Sequence, residues 1–422
     1  ADPERASRAL PEPLEHAALS AALTTFGPDL VVFDTHAPNA LVEHATALGA
    51  RSVLVQRELR PELLRAFLAS KAARAFDRIV VPHDPAEISI AEVEGLPLVI
   101  AGHVVRALDT RLPARWRRRL DPEAPLVVAM AGGGGQPIDA HRFLRAAADA
   151  HLLTRARVPR LQTLLIAGPY GVVPEHLEAI AGLVAMRACD ELPALLARAD
   201  VVVSQAGYNA VCEIRTLEKP AILVPGYRKA EDQRARARRL VEIDAALLAR
   251  PEARSIASRL ESLLLDPSRL AIMKAAHRAL PLEPKNRAVA EEILRPIWSS
   301  TTRVRRAVIV AHDFAPRLGG METAARALAK GLLAQGVDVR VYTAKHFGAA
   351  LPDLAPERVR RLYNARSRRG AHRSLGRSRD DARRADGRCA RRRAPVSRGA
   401  RPVGAGVARR AGLRGHGQRA RQ

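Results

Sequence analysis

The chain has 422 residues, enough for two or three domains, and 47% of them are apolar, enough for a sizeable core. Aromatics make up only 3%, so Ala, Leu and Val must fill that core. The net charge of +25 resembles a nucleic-acid signal, but 16 of those charges sit in the last 58 residues, which hold 19 Arg and 3 Asp. No aromatics are interleaved with these arginines to stack bases, so no specific nucleic-acid partner is expected.

The three cysteines, Cys189, Cys212 and Cys389, have no metal-type spacing and read as thiols of a reducing compartment. No run of about 20 apolar residues is present to span a bilayer. The chain opens on Ala1-Asp2-Pro3-Glu4, without a signal peptide or an initiating Met, and reads as a fragment.

In chain order, Leu30–Asp34, Ser52–Val55 and Arg78–Val81 are predicted strands, with helices over Asn39–Leu48 and Pro61–Phe76. Continuous apolar runs separated by helices indicate a parallel sheet covered on both faces. About three strands are fewer than the five to seven or so of an open doubly wound sheet, so this first domain, residues 1–115, reads as incomplete. Residues 111–125 read as a linker.

A second series spans 123–298. Leu126–Ala131 is a strand running into Gly132-Gly133-Gly134-Gly135-Gln136. Thr163–Ala167, Asp200–Ser204 and Pro220–Pro225 are further strands, with helices over Ile138–Ala150, Leu192–Arg198, Asn209–Leu217 and Glu231–Leu240. This is enough for a complete α/β domain. A third, partial series follows over 303–347. It has a strand at Ala307–Ala311, a Gly319-Gly320 turn, a helix over Glu322–Gln335 and a strand at Val337–Tyr342. From 348 to 422 the aliphatic clusters vanish, and the basic tail is expected to be disordered. The tail also reads as a shifted frame of GC-rich DNA.

Three loops at the carboxyl ends of the second series can carry chemistry. Gly133, Gly134, Gly135 and Gln136 follow a strand directly and let backbone N–H groups approach a diphosphate, helped by the next helix N-terminus. Such a run alone reads equally as a surface turn. The second loop runs from Ser204 through Gly207, Tyr208 and Asn209 to Glu213. Gly207 permits a tight turn, and Glu213, four residues after Asn209, lies on the same helix face, where its carboxylate can accept from both hydroxyls of a ribose. By itself Glu213 reads more readily as a solvated charge or a capping partner. The third loop runs from Pro225 to Asp232 and Gln233, whose groups suit sugar hydroxyls. An ordinary N-cap fits Asp232 as well.

The order of these three loops resembles family 28 glycosyltransferases. Their carboxyl-terminal domain carries a Gly-rich loop, then Ser-x-x-Gly-x-x-x-x-x-Glu, then a Pro strand end followed by Asp-Gln. The resemblance implies that Glu213 holds the donor ribose, that Gly207 to Asn209 hold the diphosphate, and that Gln233 lies near the donor sugar. It covers 123 to about 297 well and 20–110 loosely. In that family the amino-terminal domain opens on a Gly-rich loop with a base nearby, and none precedes Leu30. His36 at the end of the first strand is the candidate base, although a polar loop histidine is the plainer reading. Asp34 and His83 also sit at strand ends facing the expected cleft. In the third series, His312 to Glu322 with its Gly319-Gly320 loop resembles the start of family 4 glycosyltransferases, where that loop approaches donor phosphates.

The expected fold is therefore α/β. It is a GT-B-like pair of Rossmann-like doubly wound domains, the first incomplete, with a partial third segment and an Arg-rich tail. The expected activity is transfer of a hexose or N-acetylhexosamine from a nucleotide-diphosphate sugar, such as a UDP-sugar, to an acceptor hydroxyl, with inversion. No metal or other cofactor is expected beyond the donor. The acceptor is a glycan, a lipid-linked sugar or a small molecule, and the protein is expected to be cytoplasmic, with peripheral contact to the inner membrane face. The alternatives are a nucleotide-sugar 2-epimerase, which shares the architecture, and a non-catalytic nucleotide-sugar-binding fragment.

Overall fold

Apolar runs too short for a helix and unbroken by polar residues become strands buried on both faces. The computed structural model describes residues 13–35, 37–88, 95–132, 137–168, 172–173, 177, 180–298, 306–311, 320–345 and 358–364. Everything described belongs to one compact unit, built as two lobes on two parallel sheets.

The first lobe begins with helix α1 (Pro13–Phe26), then strand β1 (Leu30–Asp34), α2 (Asn39–Ala47), β2 (Arg51–Val55), α3 (Pro61–Leu68), β3 (Arg78–Val81) and β4 (Leu98–Ile100). A linker with the short helix α4 (Ala114–Arg119) leads into the second lobe. There follow β5 (Leu126–Met130), α5 (Pro137–Arg155), β6 (Gln162–Ile166), β7 (Leu183–Met186), α6 (Leu192–Arg198), β8 (Val201–Ser204), α7 (Tyr208–Thr216), β9 (Ala221–Leu223), α8 (Gln233–Glu242), β10 (Ala246–Leu248), α9 (Ala253–Leu264) and α10 (Pro267–Ala279). Helix α11 (Asn286–Trp298) then crosses back, and its Val289, Ala290, Ile293 and Leu294 pack in the core of the first lobe.

The second sheet has the strand order β10-β9-β8-β5-β6-β7. From β5 the chain first winds outward through β6 and β7, then returns beside β5 at β8 and winds the other way. The order reverses between β5 and β8, and in such sheets the crevice outside the carboxyl ends at this point is where ligands bind.

The first sheet departs from expectation. The third series does not stand apart, and the first sheet does not stop at a few strands. Strands β11 (Arg306–Ala311), β12 (Asp338–Lys345) and β13 (Val359–Asn364) extend it to the order β13-β12-β11-β1-β2-β3-β4. β1 pairs in parallel with β11 along its whole length, from Leu30 opposite Ala307 to Asp34 opposite Ala311. The physical reason is that β1 is buried in all five residues and has two edges of backbone groups to satisfy; β2 takes one, and β11 takes the other. Local contacts seal the join. Asp29 and Arg306 exchange bonds of 2.9 Å, Asp29 N–H to the Arg306 carbonyl and Arg306 N–H to Asp29 Oδ2, and Tyr342 donates its hydroxyl to the Ala22 carbonyl at 3.1 Å. Helix α12 (Gly320–Ala334) covers this half of the sheet, with Ala325, Leu328, Ala329 and Leu332 buried. β13 lies inside the span expected to be tail, and it forms because the outer edge of β12 offers it a parallel partner; the residues from 365 onward lie outside the described ones.

This pairing makes residues 306–364 structural. Truncation after residue 298 leaves the inner strand β1 with an open edge and strips one side of the core. The shortened chain is expected to lose its cooperative thermal transition and to aggregate in size-exclusion chromatography. An unchanged melting temperature would contradict the seven-stranded sheet.

Candidate active site

Strand β8 ends at the sheet reversal, and the turn after it is tightly held. Ser204 is buried, and its Oγ has no hydrogen-bond partner among the described residues. Ala206 takes φ +60°, costly for a residue with a Cβ. Its carbonyl is pinned by Arg236 Nη1 at 2.8 Å. Gly207 caps α7 in an extended conformation, and no atom lies within 4 Å of where its Cβ would stand. The approach to that side of the helix N-terminus is therefore open, where unpaired N–H groups and the helix dipole favour an anion.

The turn after β9 closes on the same place. The Gly226 N–H donates to Gln233 Oε1 at 3.0 Å. A Cβ at Gly226 would meet Arg228, Gln233 and Gln205 side-chain tips at 3.4 to 3.6 Å. Arg228 Nη1 lies 3.2 Å from Asp139 Oδ2 at the start of α5, and Gln205 Nε2 donates to the Asp139 carbonyl at 3.3 Å. The start of α5 and the turns after β8 and β9 thus meet at Asp139.

The candidate residues land differently. Glu213 is 5% exposed on α7, not a solvated charge. Its Oε1 lies 2.7 Å from Arg106 Nε, contributed by the linker between the lobes. Burial raises the Glu213 carboxyl above its ordinary range, offset in part by Arg106. Asn209 lines the same narrow crevice as Glu213 and Arg106. The Tyr208 side chain turns away, donating to the Pro82 carbonyl of the first lobe at 2.7 Å. Asp232 caps α8, accepting from Arg234 and Ala235 N–H at 3.1 and 3.0 Å. Gln233 holds the Gly226 turn and donates to Glu231 at 3.1 Å. Gly320 opens α12. His36, Gly133, Gly134, Gly135, Gln136 and Gly319 lie outside the described residues.

Several residues that pattern did not single out tie the lobes together at the crevice. Glu58, after β2, accepts from Arg236 at 2.6 and 3.0 Å and from Arg239 at 3.1 Å, and Arg236 also pairs with Glu231 at 3.0 Å. Glu58 and Arg236 are both almost fully buried. The Arg60 N–H donates to the Ala230 carbonyl at 2.7 Å. At the end of β1, Asp34 is buried and takes both oxygens to Arg57, at 2.9 and 3.1 Å. The Gln56-Arg57-Glu58 run after a strand end was the available signal, but nothing in spacing links it to Arg236.

His83, Glu87 and His103 bring one ligand atom each within 4.8 Å of one another, the spacing of a metal site. The hydrogen bonds read otherwise. The Glu58 N–H donates to His83 Nε2 at 3.3 Å, so that lone pair is used and Nδ1 carries the proton, facing Glu87 Oε2 at 3.8 Å. Arg215 also pairs with Glu87. Burial pushes the Glu87 carboxyl up, but hydrogen bonds from His103 and His83 and the charge of Arg215 hold it far below its ordinary range. The cluster is a hydrogen-bonded seam between lobes, with Tyr208 packed on both imidazoles.

Residues 140–290 match the glycosyltransferase family 28 C-terminal domain. The match falls within the second lobe. Among the relatives of this chain is the UDP-N-acetylglucosamine–N-acetylmuramyl-(pentapeptide) pyrophosphoryl-undecaprenol N-acetylglucosamine transferase of an Exiguobacterium species, 27% identical over 285 residues, which are 65% of this chain and 75% of that protein. The enzyme of the same name from Rhodospirillum centenum is 36% identical over 108 residues, but these are only 28% of its length; that from a Nocardioides species is 27% identical, with 65% of its length covered. In fold alone, the chain is similar to Acinetobacter baumannii MurG, with a TM-score of 0.44, 18% identity and coverage of 65% and 76% of the two chains. It is also similar to the UDP-bound S. aureus MnaA, with a TM-score of 0.49, 12% identity and coverage of 70% and 83%.

The electrostatics of the second lobe and its seam can be tested in two ways. Replacing Glu58 by Ala strands Arg236 with less compensation, and should cost about 3 kcal/mol in chemical denaturation; a change within error would show that Glu231 alone suffices. Burial also lowers the proton affinity of His83, His151 and His277 below their ordinary 6.5. The unfolded chain then binds more protons below that pH, so stability is present above about 6.5 and lost as pH falls. The melting temperature should drop steadily from about pH 7 to pH 5, and a flat profile would contradict neutral buried imidazoles.

Proposed function

We propose that this chain transfers a hexose or N-acetylhexosamine from a UDP-sugar to an acceptor hydroxyl, with inversion. The observation that carries the reading is the meeting of the start of α5 with the turns after β8 and β9 at the reversal of the second sheet, followed by the open N-terminus of α7 and, one turn into it, buried Glu213. Transfer in one displacement forms a bond from the acceptor oxygen to C1 of the sugar as the bond from C1 to the phosphate oxygen breaks. Negative charge then develops on the leaving diphosphate. The N–H groups of Gly207, Tyr208 and Asn209 and the α7 dipole are fixed in advance to receive it. Glu213 accepts from the ribose hydroxyls, and Gln233, by holding the Gly226 turn, shapes the pocket for the sugar.

On the facing lobe the acceptor enters at the carboxyl edge of β1 and β11. His36, the residue after Thr35 in the sequence, removes the acceptor proton in this reading, for which its ordinary pKa near neutrality is suited. The Gly319-Gly320 pair is, in the same reading, a second phosphate-facing loop before α12. The names of the relatives support a UDP-N-acetylhexosamine donor and a lipid-linked acceptor. No helix among the described residues is long and apolar enough to cross a membrane. A lipid-linked acceptor would then be met by peripheral contact with the inner face of the plasma membrane.

The test is a panel of nucleotides and nucleotide sugars in a thermal-shift assay. UDP and one or more UDP-sugars should raise the melting temperature in a concentration-dependent way. Glu213→Ala should weaken that binding about 10- to 100-fold, the loss of hydrogen bonds to a charged acceptor. If no nucleotide stabilises the wild-type chain, the donor site is refuted.

A further inference from the structure

The carboxylate given to the ribose is already occupied. Arg106 Nε stands 2.7 Å from Glu213 Oε1, with the Arg106 side chain 25% exposed and that of Glu213 7%. The crevice lined by Val104, Val105, Arg106, Asn209, Cys212 and Glu213 is too narrow to hold even a water molecule. A pentose cannot share that space while the guanidinium lies there.

The backbone beside Arg106 does not readily move aside. The Val105 N–H donates to Asn286 Oδ1 at 2.9 Å, and Asn286 Nδ2 donates back to the Val105 carbonyl at 2.7 Å. The Lys285 N–H donates to the His103 carbonyl at 2.8 Å, and the Val104 N–H donates to the Tyr208 hydroxyl at 3.2 Å. The linker is thus held by both lobes, and the mobile part is the Arg106 side chain.

Resting on the donor-site reading above, we propose that Arg106 gates the ribose subsite: it occupies Glu213 in the free protein and swings out when the two ribose hydroxyls of a nucleoside diphosphate take the carboxylate. The exchange replaces one ion-pair contact with two hydroxyl donors. Part of the binding energy of the hydroxyls is therefore spent on displacing a cation. Arg106 is a positioning residue that tunes donor affinity through Glu213.

The experiment is a double-mutant cycle on the full chain, read by calorimetric UDP binding at about pH 8 so that Glu213 stays ionised. Arg106→Gln should tighten UDP about three- to tenfold, the size of one charge-assisted hydrogen bond removed from competition. In a Glu213→Gln background the same change should do little, because the competition has lost its object. Arg106→Gln should also widen the preference for UDP over 2′,3′-dideoxy-UDP, a readout that a purely structural role would not move. Weaker UDP binding in Arg106→Gln, or equal tightening in both backgrounds, overturns the gate. Should the variant fail to fold, the wild-type chain serves: the Arg106 Nε–H signal should be protected from exchange when free and lose protection at saturating UDP, and retained protection overturns the gate. If UDP binds none of these proteins, wild type included, the donor-site reading falls; if it binds and Arg106→Gln does not tighten it, only the gate falls.

Discussion

A parallel strand in the middle of a sheet must find backbone partners along both edges, and β1 meets that demand by pairing with β11. Both strands are short and, apart from exposed Arg306 at the start of β11, buried, so an unpaired edge there would strand several N–H and C=O groups at a cost of kilocalories. The rest of the first lobe follows. Once β11 is beside β1, β12 and β13 extend the sheet outward and α12 covers one face. The other face closes with α1, whose Leu19, Leu23 and Phe26 pack near Val308, Val310 and Tyr342. The order of strands now reverses between β1 and β11, as it does between β5 and β8 in the second lobe. Each lobe therefore presents a reversal point, and α11 and the linker join the two.

Closing the two lobes brings charges out of water. Glu58, Arg236, Arg239 and Glu231 form one group, and Glu87 with Arg215, His83 and His103 another. Buried pairs of this kind return little net stability, because desolvation consumes most of the Coulomb gain. Their physical effect is on geometry. A misplaced Arg236 would leave Glu58 uncompensated, so few relative positions of the lobes are tolerated. One of these allowed positions also fixes the Ala206 carbonyl, and with it the turn that opens α7. The electrostatic seam thus transmits the lobe-to-lobe arrangement to the open N-terminus of α7.

Much of this was legible in the sequence. The strands over 30–34, 78–81, 126–130 and 201–204 follow from continuous apolar runs, and Gly207 marks the start of α7, although its own φ of −65° needs no glycine and the left-handed residue of the turn is Ala206. Glu213 shares the α7 face expected of it, but its burial depends on a linker about a hundred residues earlier, and no local pattern contains that. Asp232 shows the limit of reading side chains by chemistry. An aspartate before a helix serves a sugar or the helix itself, and two free N–H groups at its own helix are nearer. Tyr208 likewise sat in a phosphate-like motif, yet its phenol is drawn to the first lobe by an unpaired carbonyl at Pro82. The largest gap was the β1–β11 pair, joining residues 277 positions apart. Apolar runs show that a strand is buried, while only the unmet edge of a partner shows where.

The buried acid at 213 has to be understood in the same terms as the strands. A carboxylate removed from water needs either a proton or a cation, and here burial pushes it toward the proton while Arg106 pulls it back. The cation comes from the linker rather than from the lobe that owns the acid. A linker residue with one-quarter of its side chain in solvent has somewhere to go.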